Sequence, residues 1–337
     1  MKNSGILLVN LGSPDTCKTS DVRRYLAEFL MDKRVIDIPF LFRFIIIYFF
    51  ILPFRPRKSA KAYKQIWTQE GSPLIVNSLY AAESLRKALK NKYSIEISMR
   101  YGSLSIVKGL NKLAKENKKI YIIPMFPHYA MSSYETCVEK VKSIASRYFK
   151  NIELKFHPPF YNDKDYINSL ALTIKPFLKK KIDHIFFSYH GIPLRHLKKT
   201  DKTKNHCLQT ENCCKKKSNA HLTCYKHQTI ETTNLTAKEL KISNSQYSIC
   251  YQSRFSKDSW LSPFTETEII KAARENKKNI LLVCPSFTAD CLETLEEIGI
   301  RAKENFIKAG GKNLYLASSL NYNKDWISVL KKWIENS

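Results

Sequence analysis

The stretch that decides the fold is Ile182-Asp183-His184-Ile185-Phe186-Phe187-Ser188-Tyr189-His190-Gly191-Ile192-Pro193. Residues 182–189 are mostly apolar, the pattern of a strand buried on both faces of a parallel sheet. Gly191 and Pro193 stop the strand. His190 therefore falls at the carboxyl end of a buried strand, where open α/β sheets place their ligands. A histidine there either hydrogen-bonds the turn or works on a ligand.

Outward from this strand, strand and helix patterns alternate. Strands are expected at 5–10, 94–100, 119–124, 152–156, 182–189, 246–252 and 279–284. Helices are expected near 20–31, 57–68, 75–91, 104–117, 132–149, 164–180, 226–241, 264–276, 291–309 and 323–335. Single helices between strands imply βαβ units and a mainly parallel sheet. The pattern runs twice, with a break near Pro158-Pro159. The expected class is α/β: two similar Rossmann-like domains, 1–160 and 161–337, each a mainly parallel sheet flanked by helices. A ligand cleft between them follows. The last helix is expected to pack back on the N-terminal half. No internal repeat is visible in the sequence.

Charge is the outlier in composition. Lys and Arg number 56 against 30 Asp and Glu, a formal net charge of +26. Such a field favours nucleic acid, an acidic membrane surface or a poly-carboxylate ligand. Many lysines, such as Lys108, Lys112, Lys115, Lys118 and Lys119, stand singly on a predicted helix and read as a solvated surface. Met1-Lys2-Asn3-Ser4 leads directly into the first strand, which leaves no room for a secretory signal, so a cytoplasmic location is expected. Nine cysteines in a reducing compartment point to metal before disulfides.

Two segments break the alternation. Residues 40–54 (Phe40-Leu41-Phe42-Arg43-Phe44-Ile45-Ile46-Ile47-Tyr48-Phe49-Phe50-Ile51-Leu52-Pro53-Phe54) are apolar but too short to span a bilayer. Arg43 interrupts them, and Arg55, Arg57 and Lys58 follow. An apolar patch beside a basic cluster suits docking on an anionic membrane surface through 40–58; the alternative is a buried core helix. Residues 205–227 are rich in cysteine: Cys207, Cys213, Cys214 and Cys224, with His206, His221 and His227 among them. Thiols at this density favour zinc or an iron–sulfur cluster, and the spacing does not say which.

Further candidates lie at strand ends. Ile280-Leu281-Leu282-Val283-Cys284-Pro285 closes a strand, and Asp290 precedes a helix carrying Glu293. Glu293 is either a capping-box partner or a carboxylate facing His190. A histidine with a carboxylate can bind a divalent metal and move protons. Arg100 and Tyr101 end one strand, and Phe126 and Tyr129 follow another. Tyr189 precedes His190, and Trp260 lies beyond Tyr251-Gln252-Ser253-Arg254. Aromatic walls with basic edges suit a large flat ligand bearing carboxylates. A zinc-knuckle nucleic-acid binder would use the charge and the Cys/His segment, but would leave 40–54 unexplained.

The ordered motifs resemble the ferrochelatase family along nearly the whole chain. They are Leu8-Val9-Asn10-Leu11-Gly12-Ser13-Pro14, Phe29-Leu30-Met31-Asp32-Lys33-Arg34-Val35-Ile36-Asp37, Gly71-Ser72-Pro73-Leu74 and Met99-Arg100-Tyr101-Gly102. Ser188-Tyr189-His190-Gly191-Ile192-Pro193, Tyr251-Gln252-Ser253-Arg254, Trp260-Leu261-Ser262-Pro263 and Leu292-Glu293-Thr294-Leu295 follow. The resemblance implies a lyase of chelatase-like fold that inserts Fe2+ into protoporphyrin IX, with loss of two protons, as the last step of haem biosynthesis. It implies His190 and Glu293 as catalytic and substrate-metal residues. Arg100, Tyr101, Phe126, Tyr129, Tyr189 and Trp260 would contact the porphyrin. Residues 40–54 match the family's apolar lip, which fits peripheral attachment to the inner face of the cytoplasmic membrane.

The resemblance further implies, as in bacterial members with an internal cluster, a [2Fe-2S] cluster on Cys207, Cys213, Cys214 and Cys224, with zinc as the alternative. It implies no nucleotide cofactor, no nucleic-acid partner, and neighbouring enzymes of the haem pathway as partners. Cys291 stands where the family often has histidine. Phe126-Pro127-His128-Tyr129 stands where Tyr-Pro-Gln-Tyr is common.

Overall fold

The computed structural model describes residues 4–254 and 258–337; Met1–Asn3, ahead of the first strand, lie outside the described residues. Two four-stranded sheets, all parallel, form the framework. The first comprises β1 (Gly5–Asn10), β2 (Ser94–Met99), β3 (Lys119–Pro124) and β4 (Glu153–Phe156), in the order β2-β1-β3-β4. The second comprises β5 (His184–His190), β6 (Tyr247–Gln252), β7 (Asn279–Val283) and β8 (Asn313–Leu316), in the order β6-β5-β7-β8. The second sheet thus repeats the strand order of the first, although the sequence shows no repeat. The central strands β1 and β5 are mostly apolar, as strands covered on both faces are. All six residues of β1 are buried, as are six of the seven in β5.

The described residues fall into two compact units. One holds the chain up to Phe126, then Met131–Pro159 and Asn321–Ser337; the other holds Pro127–Ala130 and Phe160–Leu320. In the first, the helix Lys324–Glu335 packs on the helix Pro73–Ala88, and the Trp333 ring stacks on His157 with centroids 4.0 Å apart. In the second, Phe186, Ile280, Leu282, Ile298 and Phe306 form one apolar cluster.

Local chemistry sets the helix starts. Asp163 accepts the Tyr166 amide at 2.9 Å to cap the helix Lys164–Leu178. Strand β8 is absent from the sequence expectations. It has four residues, only one fully buried, and follows Gly310-Gly311, so no period-two pattern develops. The helices expected at 132–149 and 291–309 both open with π-helical turns, Met131–Glu135 and Glu293–Ala302.

Residues 40–54 do not form a buried core helix. They form the helix Phe40–Ile45 and a π-helical turn Ile46–Ile51. Ile47 and Leu52 alone join Leu30 in a small buried cluster, while Phe40, Phe42, Phe49, Phe50 and Phe54 are each more than 60% exposed. Arg43 does not interrupt the outer face. Its guanidinium turns inward and donates to the Ile36 and Ile38 carbonyls at 3.1 and 2.8 Å.

Candidate active site

The switch point of the second sheet lies between β5 and β7. From β5 the chain goes to β6 on one side and then crosses to β7 on the other, so the connections diverge and leave a crevice at the carboxyl ends. His190 closes β5 there, paired in register with Gln252 of β6. Its Nδ1 lies 2.7 Å from the Gly191 carbonyl. A carbonyl only accepts, so Nδ1 carries a proton, and in the neutral imidazole it is Nε2 that holds the lone pair. Phe287, on the loop leaving β7, stands edge-on to the imidazole at 6.4 Å.

Glu293 begins the π-helix Glu293–Ala302 after β7. Leu292, not Asp290, is the N-cap of this helix, so Glu293 is not its third residue. Thr294 Oγ1 meets Asp290 Oδ1 at 3.1 Å and accepts the Cys291 amide at 3.0 Å. The Glu293 carboxylate instead accepts the Cys291 thiol, and burial with this carboxylate beside it holds Cys291 firmly protonated. The main chain of Glu293 is fixed as well: Gln252 Nε2 donates to its carbonyl at 2.8 Å.

One turn on stands Glu297, which sequence reasoning missed. Both its oxygens are held by Ser253, one by the amide at 2.9 Å and one by the hydroxyl at 2.7 Å. Ser253 adopts φ +66°, an unusual conformation for a non-glycine residue. Burial raises the Glu297 pKa and the Glu293 charge raises it further, while Ser253, Arg301 and His190 oppose this. Glu297 therefore feels the charges of both Glu293 and His190. The available signal was the four-residue spacing of the two glutamates, which places them on one side of a helix.

Of the six expected contact residues, Arg100, Tyr129 and Trp260 keep part of their surface exposed. Trp260 is anchored by a bridge to Pro193 and by the Leu261 amide, which donates to the Ile192 carbonyl at 3.0 Å. Tyr189 is fully buried with its hydroxyl on Thr233 at 2.7 Å. In the first unit, Phe126 is 8% exposed and Tyr101 fully buried. The Arg100 guanidinium pairs with Asp32 and donates to Thr136 at 2.8 Å, and Tyr101 Oη donates to the same carboxylate at 3.0 Å.

The four expected cluster cysteines interact with one another. Cys224 makes side-chain hydrogen bonds with both Cys214 and Cys207, and Cys213 lies within electrostatic reach of Cys207 and Cys214. Hydrogen bonds from its neighbours, Cys214 first, lower the Cys224 pKa, while Cys207 is raised by burial and by Cys224. Cys207, Cys213 and Cys224 are buried and Cys214 is half-buried. Asp201 organises the approach. Its carboxylate accepts the amides of Thr203, His206 and Cys207 at 2.8–2.9 Å. The histidines turn to backbone carbonyls: His206 and His221 donate to Cys213 and His227 to Cys214. The donor set facing inward is thus all thiol, although no three of the described His, Cys, Asp and Glu side chains stand in ready metal-binding geometry.

The family model described as ferrochelatase matches residues 3–337. The chain belongs to the ferrochelatase family. A ferrochelatase of Opitutus terrae is 42% identical over 343 residues, covering 100% of this chain and 99% of that protein. A ferrochelatase of Legionella pneumophila is 42% identical over 327 residues, covering 97% of each. One from Pseudomonas fluorescens is 40% identical over 339 residues, covering 100% and 99%. Ferrochelatases are lyases that insert metal into porphyrin in haem synthesis. Among solved structures, SirB from Bacillus subtilis with Fe3+ superposes with a TM-score of 0.56 at 13% identity, covering 99% of this chain and 95% of that one. A sirohydrochlorin chelatase SirB from Bacillus subtilis subspecies spizizenii in complex with cobalt gives 0.54 at 13% identity, covering 99% and 94%. At that identity the likeness concerns the fold, which ferrochelatases share with these chelatases.

Proposed function

We propose that this ferrochelatase inserts Fe2+ into protoporphyrin IX at His190, with Glu293 and Glu297 as its carboxylate partners. The supporting observation is the fixed tautomer of His190: the Nδ1 proton sits on the Gly191 carbonyl, which leaves Nε2 to accept a proton or hold iron. A free-base porphyrin carries two N–H protons in its plane. Each new Fe–N bond at those nitrogens requires one proton to leave, so the reaction releases two. His190 Nε2 takes a pyrrole proton. Glu297, whose pKa is raised by burial, is suited to receive it, since a carboxylate of ordinary acidity is a weak base near neutral pH. Glu293 serves as the charged partner for the incoming Fe2+. Tyr129 and Trp260 would touch the macrocycle, while Tyr189 stays fully buried behind His190.

We further infer that Cys207, Cys213, Cys214 and Cys224 hold a [2Fe-2S] cluster. Four neighbouring thiols are the donor chemistry that a cluster or zinc takes, with Cys224 contacting Cys207 and Cys214, and Cys213 near the same two. Bound, the cluster would cross-link the loop 207–224 and add a one-electron couple. The exposed face of 40–54, followed by exposed Arg55, Arg57 and Lys58, suits attachment to an anionic bilayer; no helix among the described residues is long and apolar enough to cross one. An apolar face with adjacent cations gains from acyl burial and from headgroup charge together.

The test is anaerobic purification, iron and zinc analysis and a visible spectrum, then Fe2+ insertion into protoporphyrin and coproporphyrin. His190→Ala is expected to abolish insertion while porphyrin binding persists. A folded His190→Ala protein with near-normal turnover would sink the assignment. Zinc without a visible chromophore would replace the cluster reading, and rapid insertion into coproporphyrin alone would change the substrate.

A further inference from the structure

The helix Tyr225–Leu240 begins at one proposed cluster ligand and touches the proposed base. Its N-cap residue is Cys224. The next residue, Tyr225, is 4% exposed, and its hydroxyl lies 2.8 Å from the His190 carbonyl oxygen and 2.8 Å from Ser286 Oγ. The carbonyl only accepts, so the single phenolic proton goes to His190 and Ser286 donates to Tyr225.

The contact is to the main chain of His190 rather than its ring. That peptide is already held from the other side, where the Gly191 amide donates to the Gln252 carbonyl at 2.8 Å. The ring in turn leans on the Gly191 carbonyl through Nδ1. Ser286 lies on the loop that runs from β7 toward Glu293. One hydroxyl therefore joins the helix start at Cys224, the end of β5 and the loop leading to the carboxylate. A hydrogen bond of this length does not survive a displacement of its donor by about 1 Å.

We propose that Tyr225 is a positioning residue that makes the placement of His190 depend on the four-cysteine site. Cys224 sets where the helix starts, and the Tyr225 hydroxyl passes that position to the His190 peptide. The inference rests on the reading of His190 as the base and of the four cysteines as cluster ligands. A misplacement of a reacting group by about 1 Å can cost up to about 100-fold in rate, so the link is strong enough to matter.

Tyr225→Phe tests it, because the ring and its packing remain and only the hydroxyl goes. The variant and the unaltered protein are compared as purified and after removal of bound iron by chelation and desalting. Tyr225→Phe is expected to keep the iron content and visible spectrum, with porphyrin KM within about twofold and kcat lower by about tenfold. Stripping iron from the unaltered protein is expected to lower kcat by a similar factor. Stripping Tyr225→Phe should add no further loss, since the same link is already cut.

A readout independent of turnover is the 15N spectrum of histidine-labelled protein, with His190 assigned by its absence in His190→Ala. Its signal should move in the same direction on either perturbation. An unchanged kcat in Tyr225→Phe overturns the proposal, as do losses that multiply. A protein that inserts iron but carries no metal at the cysteines overturns the coupling, and the Tyr225→Phe comparison alone then decides whether the hydroxyl positions His190. An unaltered protein that inserts no metal overturns the reading beneath it.

Discussion

Gln252 carries Glu293. Its amide donates to the Glu293 carbonyl at 2.8 Å, and its own Oε1 accepts the Ser188 hydroxyl at 2.7 Å. Gln252 is 5% exposed, so water does not replace these bonds when they are lost. The end of β6 thereby fixes both the last turns of β5 and the first turn of the π-helix.

Gln252→Ala is expected to destabilise the fold by about 1–3 kcal/mol, since the Glu293 carbonyl loses its side-chain donor and the buried Ser188 hydroxyl keeps only Thr265 as a partner. It should also lower kcat more than the porphyrin KM, because the Glu293 peptide loses its anchor. Urea unfolding and steady-state insertion rates check the two parts. A stable variant with full kcat would show that the helix start positions Glu293 unaided.

The parallel sheets were legible in the sequence because buried strands such as 182–189 and 279–284 are apolar and end in turn residues. His190 was legible for the same reason, since a strand end is a position that sequence defines. Glu297 was not. Its meaning depends on Ser253, just past the end of β6, and on a π-helical turn that no local pattern marks. Tyr225 reads as an ordinary core aromatic until β5 is placed beside its hydroxyl. Arg100 shows the converse. A basic residue at a strand end suggested a ligand carboxylate, whereas the fold brings Asp32 to it from a distant segment.

Glu297→Gln is expected to stabilise the protein toward neutral pH. Burial raises the carboxyl pKa above its ordinary value, so the folded state binds the proton more tightly than the unfolded state. Stability from such a group is fully present below the unfolded pKa of about 4.3 and is lost as pH rises through the folded value. The glutamine carries no such loss. The thermal midpoint of the variant relative to the unaltered protein should therefore climb from pH 4 upward, as differential scanning calorimetry can follow, while kcat falls. A constant difference across that range would mean that Glu297 does not titrate abnormally.

Gly191→Ala probes the space beside the base. A Cβ at this position would lie 2.9 Å from the Gln252 carbonyl oxygen and 3.3 Å from the Trp260 ring. The first is main chain in a central sheet and cannot yield cheaply. A cost of about 1–3 kcal/mol is expected, with His190 pushed from its register. The resulting loss should appear in kcat, and tryptophan fluorescence should report the displaced indole. Unaltered fluorescence with full turnover would show that the turn accommodates the methyl.

Asp32 is the acid-sensitive point of the first unit. Burial alone would raise its pKa, but Thr136, the Arg34 amide, Arg100 and Tyr101 together bring it below the ordinary value. The folded state thus favours the ionised form. The stability this supplies is present above the unfolded pKa of about 3.9 and disappears as pH falls through the folded value. Asp32→Asn leaves the buried Arg100 without its counter-charge, so about 3–5 kcal/mol should be lost at pH 7. The gap between variant and unaltered protein should then narrow as pH falls below about 4, toward the lowered folded value at which the natural carboxyl takes up its own proton. Urea titrations at pH 7 and pH 3 measure both ends. A gap of equal size at the two pH values would place the cost in packing rather than in the Arg100 pair.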